Sequence, residues 1–425
     1  MDVLRRPAPD DSGLRPSGPS DAASPAFASA PVSGIESADP LSPAADAVRK
    51  PSTLAFEDED AVRKPSTLAF EDEDAVRKPS TLTFEDADAV RKPSTLAFED
   101  EDAARKPSTL AFEDEDAARK PSTLTFEDAT PLLADPDRLR AKAEEDGYLF
   151  FKRFIDRNKI MDVRDQMLAI LDEAGLLHRD RKRIDGIANV RAVHRLDETD
   201  ANWNGVGVPF ELYRKTQKLE AFHALAHEPR LLALYEMLFD ERPFVHPRNI
   251  ARLMLPHRNT HVTPSHQDYL HIQGTTETWT CWIPLGDVPR SLGGLKVLAG
   301  SHKAGLLGVT AHPGAGGLES ILCGLGYEWA EGDYEAGDII TFHSLTVHKA
   351  LPNLTPRRIR LSCDMRYQPA SEPVDRTSLL PHGPFSWADL YEGWQRPELQ
   401  YYWQKERLAV TEFDESIRWQ KDKIC

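Results

Sequence analysis

The fold of this chain is decided by the stretch Ser265-His266-Gln267-Asp268, which lies among short strand-like segments. Side chains alternate between the two faces of a strand, so His266 and Asp268 are predicted to share a face that Gln267 does not. An imidazole and a carboxylate one pleat apart fit two adjacent positions around a six-coordinate metal ion. The stretch therefore predicts a metal site on one face of a sheet.

A third metal ligand has to come from another part of the chain, and His348 is the best candidate. It follows the strand-like segment 337–343 and its continuation 344–347. Two histidines and one carboxylate leave coordination positions open, as in non-haem iron(II) oxygenases. An HxD pair alone is a weak motif, but HxD followed by a distal histidine and a basic strand is much stronger. His266, Asp268 and His348 are the predicted metal ligands and catalytic centre.

The basic strand is Arg357-Arg358-Ile359-Arg360-Leu361-Ser362. Arg358 and Arg360 are two residues apart, so both are expected on one face, where either could bind a distal carboxylate through two hydrogen bonds. This predicts a dicarboxylate co-substrate with its other end on the metal; the alternative is an ordinary surface ion pair. Thr280, on a neighbouring predicted strand, is expected to line the co-substrate pocket or to belong to the core.

Periodicity predicts a mainly β domain with flanking helices. Helices are predicted at 136–146, 157–174, 217–226 and 229–239, and more helical segments at 387–394 and 399–407. Strands are predicted at 148–151, 249–255, 266–273, 276–285, 295–299, 338–343 and 359–367. Short strands separated by Gly, Pro and Asp favour an antiparallel barrel or sandwich wrapped by helices.

The order of these motifs resembles the phytanoyl-CoA dioxygenase family, from about residue 136 to residue 367. The matching pieces are 265–268, 282–287, 293–303, 337–338, 348–353 and 360–367. The resemblance implies a double-stranded β-helix (a jelly-roll, cupin-like core), iron(II), 2-oxoglutarate and O2. Ala299 stands where the family usually has proline, which is expected to alter a turn and not the chemistry.

Carried over by motif position, the resemblance gives His266, Asp268 and His348 as metal ligands. It places the 2-oxoglutarate arginine at Arg360 or Arg358, because counting from the two ends of the motif disagrees, and Arg360 is preferred. The implied reaction decarboxylates 2-oxoglutarate to succinate and CO2 and oxidises a substrate C–H bond with O2. Asp268 favours hydroxylation, or a related desaturation or cyclisation, since halogenating relatives lack this carboxylate.

Before this region the chain has a different composition. Residues 1–45 are rich in Pro, Ser and Ala, and residues 46–129 consist of six copies of a 14-residue unit such as DAVRKPSTLAFEDE at 46–59. Two large apolar residues per copy cannot offset the entropy of ordering the rest, so both segments are predicted to be disordered, with the oxygenase domain at 130–425. The copies are interpreted as a charge-balanced spacer, as linear motifs, or as peptide substrates carried by the enzyme.

Three functions are compatible with the sequence. The first is an oxygenase acting on a separate small molecule in secondary metabolism. The second is the same oxygenase modifying its own repeats, in cis or in trans, as fused core peptides of a ribosomally made natural product; tethering would give them a local concentration of about a millimolar. The third is a non-catalytic scaffold that recruits partners through the repeats. Loops 185–207 and 307–334 are expected to surround the opening and set the substrate.

Composition excludes other classes. With 52 basic and 69 acidic residues the net charge is −17, which argues against nucleic-acid binding. No stretch resembles a secretory signal or is long enough to span a bilayer, and the four cysteines show no CxxC spacing, so buried thiols in a cytoplasmic protein are expected.

The remaining histidines are predicted to have supporting roles. His302 and His343 are expected near the site or in packing. His261 and His271 are expected at the pocket rim, with His271 on the strand face opposite His266.

Overall fold

Two β-sheets form the centre of the protein, whose computed structural model describes residues 123–197, 202–256, 262–322 and 324–419. The larger sheet has the strand order β2-β10-β5-β12-β3, with β4 also paired to β12. Its strands are β2 (Tyr148–Phe151), β3 (Pro243–Val245), β4 (Ile250–Met254), β5 (Trp279–Pro284), β10 (Ile339–His343) and β12 (Arg360–Pro369).

The smaller sheet has the order β1-β9-β6-β11. Its strands are β1 (Leu124–Thr125), β6 (Leu295–Leu298), β9 (Trp329–Glu331) and β11 (His348–Ala350). Two further pairs are β7 (Val309–Ala311) with β8 (Leu318–Ser320), and β13 (Val374–Asp375) with β14 (Val410–Thr411). The two main sheets pack against each other through one apolar cluster, which confirms a mainly β core with helices around it.

Helices flank the sheets. They are α1 (Pro136–Asp146), α2 (Arg157–Glu173), α3 (Val190–Val193), α4 (Phe210–Gln217), α5 (Glu220–Ala224), α6 (Pro229–Phe239), α7 (Tyr269–Ile272) and α8 (Trp387–Leu390). Of these, α1, α4 and α6 contact strands of the larger sheet. Asp135 and Asp156 cap α1 and α2 by accepting hydrogen bonds from backbone amides of the first turn. Their apolar faces and the outward side chains of the sheet form the main core.

The alternation along β12 separates the core from the site. Leu361, Cys363, Met365 and Tyr367 belong to the core shared with the helices. The residues between them point to the other face, between the two sheets, where polar side chains are buried. One face of β12 therefore belongs to the core shared with the helices, and the other face lines the space between the two sheets.

Two predicted elements around the HxD motif are wrong. His266 forms only an isolated bridge with His348, and the chain then turns at Asp268 into helix α7, so no strand spans 266–273. A strand has to have a partner along its length, and beyond His266 none is present. The chain also leaves β10 after His343 and enters the other sheet at His348, so His348 does not continue that strand.

The predicted start of the folded region at residue 130 is too late. The end of the sixth repeat is part of the fold: β1 pairs with β9, and Phe126 and Ala129 are buried. A segment whose one aromatic side chain fills a pocket of the oxygenase domain does not need a core of its own. The composition of the segment gives no sign of such a contact. The first five copies and residues 1–45 lie outside the described residues.

Near the C-terminus the predicted helical segments are shorter than expected. α8 covers the start of 387–394, and 399–407 is represented by 3-10 turns at Pro397–Leu399 and Tyr402–Lys405. Among the helices that the structure describes, none combines the length and apolar character needed to cross a membrane.

Candidate active site

Backbone pairing between two histidines builds the centre of the site. His266 and His348 exchange both amide-to-carbonyl hydrogen bonds at 3.0 Å, although they are 82 positions apart in numbering. Cross-strand neighbours of this kind have adjacent side chains, and the two imidazole centroids lie 4.1 Å apart. Strand pairing thus fixes two of the three predicted ligands relative to each other.

Asp268 completes the group. Its Oδ1 lies 3.5 Å from Nε2 of His266 and 3.7 Å from Nε2 of His348. The three candidate ligand atoms lie within 4.8 Å of one another, and all three residues are buried. Asp268 precedes α7, but its carboxylate forms no capping hydrogen bond to that helix, so it remains directed at the histidines. The structure therefore brings together the three residues singled out from the sequence.

Hydrogen bonds orient both imidazoles. Nδ1 of His266 donates to the carbonyl of Pro264 at 2.8 Å, and Nδ1 of His348 donates to the carbonyl of Thr346 at 3.1 Å. With the proton on Nδ1, the lone pair of Nε2 points toward Asp268, which is how metal-binding histidines are usually held. Burial lowers the pKa of His348 to about 3, and the neighbouring His266 adds to this, so its imidazole is neutral and able to bind a metal.

The second carboxylate oxygen of Asp268 is held by two other side chains. Thr280 Oγ1 donates to Oδ2 at 2.5 Å, and Arg366 Nη2 lies 3.4 Å from the same atom. Burial, the largest influence, raises the pKa of Asp268, but the positive charge of Arg366 opposes it, and the pKa is held well below its usual range. The carboxylate is therefore ionised, with Oδ1 left for a metal.

Arg358 and Arg360 face different spaces. Arg360 is buried, donates to the carbonyl of Gly293 at 2.5 Å, and lines an inner cavity together with His266, Asp268 and His348. Arg358 precedes β12, donates to a backbone carbonyl at Asp287 and lines a separate cavity of about 530 Å³ that contains none of the three candidate ligands. The expectation that the two arginines share a face is wrong, because Arg358 lies outside the strand.

Two neighbouring cavities meet at the candidate ligands. The inner cavity, between the sheets, has a volume of about 20 Å³. The open cavity has a volume of about 380 Å³, within the range of small-molecule sites. Both are lined by Arg252, Thr263, His266 and Asp268. A co-substrate in the inner cavity has to displace side chains, whereas the open cavity has room for a substrate.

Both loops expected at the opening contribute to the open cavity. Asn204 comes from loop 185–207, and Gly314–Gly317 comes from loop 307–334. His271 also lines it, 5.8 Å from the His266 ring centroid, because helix α7 turns it toward the site instead of to an opposite strand face.

The other histidines occupy supporting positions. His302 bonds to the carbonyl of Glu144, and His343 accepts a hydrogen bond from the amide of Leu345; neither belongs to the candidate metal group. His261 lies outside the described residues.

Three arginines near the site are not among the residues predicted from the sequence; one is buried and the other two are half-buried. Arg366 contacts Asp268, Arg252 forms an ion pair with Asp364 at 2.8 Å, and Arg248 lines the open cavity. A signal for Arg366 and Asp364 is present in the sequence: polar residues at every second position of an otherwise apolar strand indicate a polar interior face. Arg248 and Arg252 precede the HxD motif and carry no such signal.

A family profile described as phytanoyl-CoA dioxygenase matches residues 143–362, slightly more than half of the chain, including all three candidate ligands and Arg360. The chain belongs to the phytanoyl-CoA dioxygenase family. As a member of this family it is an oxygenase that depends on iron(II), 2-oxoglutarate and O2, which confirms the enzyme class and cofactors expected from the sequence.

Curated relatives of this family member include two bacterial hydroxylases. The 1-deoxypentalenic acid 11-beta-hydroxylases of Streptomyces exfoliatus and Streptomyces arenae are each 28% identical, over 265 and 269 residues respectively. Both comparisons cover 59% of this chain and 88% of the relative.

Solved structures that resemble this family member are more distant. The epimerase SnoN, in complex with Fe3+, alpha ketoglutarate and nogalamycin RO, has a TM-score of 0.40 and 19% identity, covering 57% of this chain and 86% of that chain. EctD from S. alaskensis, with 2-oxoglutarate and 5-hydroxyectoine, has a TM-score of 0.40 and 16% identity, covering 70% and 98%.

Proposed function

We propose that this oxygenase hydroxylates a C–H bond of a small, anionic molecule in secondary metabolism. The observation that carries the proposal is the position of His266, Asp268 and His348 beside an open cavity that also contains several arginines. The curated relatives, named as hydroxylases of an acid, support the same class of substrate.

The donor set fits iron(II). Two imidazoles and one ionised carboxylate present Nε2, Nε2 and Oδ1, the combination typical of non-haem iron oxygenases. When bound, iron(II) with 2-oxoglutarate and O2 supplies the oxidising chemistry. The protein holds the ligand set in place: two backbone carbonyls fix the imidazoles, and Thr280 with Arg366 fixes the carboxylate.

Arg360 is the proposed partner of the distal carboxylate of 2-oxoglutarate. Its guanidinium is buried with a backbone carbonyl as its hydrogen-bonded partner, and its Nε has no partner among the described residues. Burial, followed by repulsion from Arg252, lowers the pKa of Arg360 to about 10, so it still carries its charge at neutral pH. A buried cation without a matched anion is costly, and a carboxylate in the inner cavity would relieve that cost.

The negative charge of the proposed substrate is inferred from the arginines that line the open cavity. Arg252 and Arg366 already have acidic partners, Asp364 and Asp268. Arg248, which also lines the cavity, donates to backbone carbonyls and forms no ion pair with any residue that the structure describes. Its positive charge therefore remains to be matched by a ligand, and a carboxylate or phosphate would match it.

Substrate turnover tests the proposal. The protein is loaded anaerobically with iron(II) and 2-oxoglutarate, mixed with small carboxylic acids or with their methyl esters, and then exposed to O2. An acid substrate should stimulate succinate formation and gain 16 mass units, and its ester should react at least tenfold more slowly. Arg248→Gln should abolish that preference and leave the uncoupled turnover of 2-oxoglutarate unchanged, while His348→Ala should remove all turnover. Equal rates for acid and ester would contradict the anionic class.

No described residue favours the repeats as substrates. The end of the sixth copy lines neither the inner nor the open cavity. The same reaction mixtures should be examined by mass spectrometry of the N-terminal region. A gain of 16 or a loss of 2 mass units on a repeat would transfer the proposed activity from a small molecule to the repeats.

A further inference from the structure

The sixth repeat joins the domain by adding a strand to a sheet edge. Leu124 and Thr125 pair in parallel with Ala330 and Glu331 of β9. The amide of Ala129 then donates to the carbonyl at position 150, at 2.7 Å. Strand addition of this kind is a common way to bind a peptide, since the backbone supplies hydrogen bonds and alternate side chains supply specificity.

One side chain of the repeat fills a buried aromatic pocket. Phe126 is 7% exposed, whereas its neighbours Leu124 and Thr125 are exposed. Its ring centroid lies 5.1 Å from that of Phe150 and 5.5 Å from that of Tyr334. These distances are typical of favourable aromatic pairs, so Phe126 is the anchor of the segment.

A glycine makes room for the anchor. A Cβ atom on Gly332 would lie 2.9 Å from Cδ2 of Phe126, so a larger residue there would displace the ring. The acidic residues after the anchor are also recognised. Glu127 pairs with Lys142 at 2.7 Å, and Asp128 accepts hydrogen bonds from the amide and hydroxyl of Thr130 and from the amide of Lys152.

The position after Phe-Glu-Asp discriminates between the copies. Ala129 is 3% exposed, whereas the first, second, fourth and fifth copies carry glutamate at this position (Glu59, Glu73, Glu101 and Glu115). Burying a carboxylate without a partner is unfavourable. The third copy instead has Ala87, and its residues 77–87 are identical to residues 119–129.

We infer that this surface is a binding groove for the repeat motif, and that the third copy of the same chain is its alternative occupant. The groove is defined by β9, Lys142, Phe150, Gly332 and Tyr334. Every group that contacts residues 124–129 in the sixth copy would meet the same residue in the third. The proposal concerns docking, and it does not depend on the substrate proposed above.

Chain connectivity explains why the sixth copy occupies the groove. It continues directly into the domain, whereas docking the third copy leaves residues 88–129 as a loop. Closing such a loop disfavours the third copy by a factor on the order of a few hundred. The third copy should therefore replace the sixth only when docking of the sixth copy is weakened.

A labelled peptide of residues 77–87 tests the groove in the full-length protein. By fluorescence anisotropy, the wild type should not bind it, Phe126→Ala should bind it weakly, and Phe126→Ala/Phe84→Ala should bind it at least tenfold more tightly than the single variant. A peptide of residues 49–59, which ends in glutamate, should bind the double variant at least tenfold more weakly. Adding Gly332→Leu to the double variant should abolish binding.

Thermal melting provides a second measurement in the same proteins. Phe84→Ala alone should leave the melting temperature unchanged, but it should lower the melting temperature when Phe126 is already alanine. If Phe126→Ala does not fold, Ala129→Glu replaces it, since that variant keeps the anchor and copies the residue of the weaker repeats.

Two results would overturn the inference. The first is a double variant that retains uncoupled 2-oxoglutarate turnover but binds neither peptide. The second is a Phe126→Ala protein that forms dimers with rising concentration, which would assign the groove to a repeat from a second chain instead of the third copy of the same chain.

Discussion

Replacing Thr280 by valine should weaken metal binding without changing any proposed ligand. The Thr280 hydroxyl donates to Oδ2 of Asp268 at 2.5 Å, and after its removal the nearest remaining donor to that oxygen is Arg366 at 3.4 Å. A hydrogen bond to a charged group contributes about 1.5–3 kcal/mol. This hydrogen bond holds the carboxylate in the orientation that metal binding requires. Its loss should therefore raise the dissociation constant for the metal about 10- to 100-fold.

Thr341→Val is a matched control. Thr341 is also a fully buried threonine of the larger sheet, and its hydroxyl shares a hydrogen bond with Tyr235 at 2.7 Å on the helix side. Its loss should lower the free energy of unfolding by about 1 kcal/mol and leave metal affinity unchanged. Anaerobic titration of the metal-free proteins with iron(II) or cobalt(II) gives the dissociation constants. Wild-type affinity in Thr280→Val, or an equal loss in both variants, would refute the role assigned to Thr280.

Three further predictions follow from buried groups. Arg360→Gln should raise the KM for 2-oxoglutarate about 30-fold, measured by succinate formation, because it removes the cation proposed to bind the distal carboxylate. The control Arg358→Gln should leave that KM unchanged. Equal effects of the two substitutions would contradict the choice of Arg360. Arg164→Met should lower the free energy of unfolding, measured by chemical denaturation, by about 3 kcal/mol, because the buried guanidinium donates to two backbone carbonyls. An unchanged free energy of unfolding would contradict this structural role. Cys281 and Cys363 should resist alkylation in the native protein at pH 8 and react once it is unfolded. The reason is burial, which raises the pKa of Cys281 to about 12 and that of Cys363 well above its ordinary value. Mass spectrometry that finds either cysteine alkylated before unfolding would count against their burial.

The residues of the candidate site could be selected from the sequence because their chemistry is local. An imidazole and a carboxylate two positions apart, a distal histidine and a basic strand are the donor types that the chemistry needs, and each is visible in the chain itself. The local geometry differs from this prediction, however. The strand period predicts His266 and Asp268 on one strand, whereas a bridge to His348 and the start of helix α7 bring them together. The side chains converge because two separate segments pair, and a strand period cannot show which segments pair.

Sequence alone therefore determined the composition of the site, the mainly β core and the family resemblance, since these depend on residue type, spacing and periodicity. Tertiary structure decided which arginine lies beside the candidate metal ligands, which side chains hold Asp268, and that Phe126 of the last repeat belongs to the folded domain. Arg358 and Arg360 have the same side chain and differ in their position along the chain: Arg360 is the first residue of β12, and Arg358 precedes the strand. Phe126 likewise differs from Phe84 in its connection to the domain and not in its neighbouring sequence. Such distinctions depend on strand register and chain connectivity in three dimensions, which no local stretch of sequence encodes.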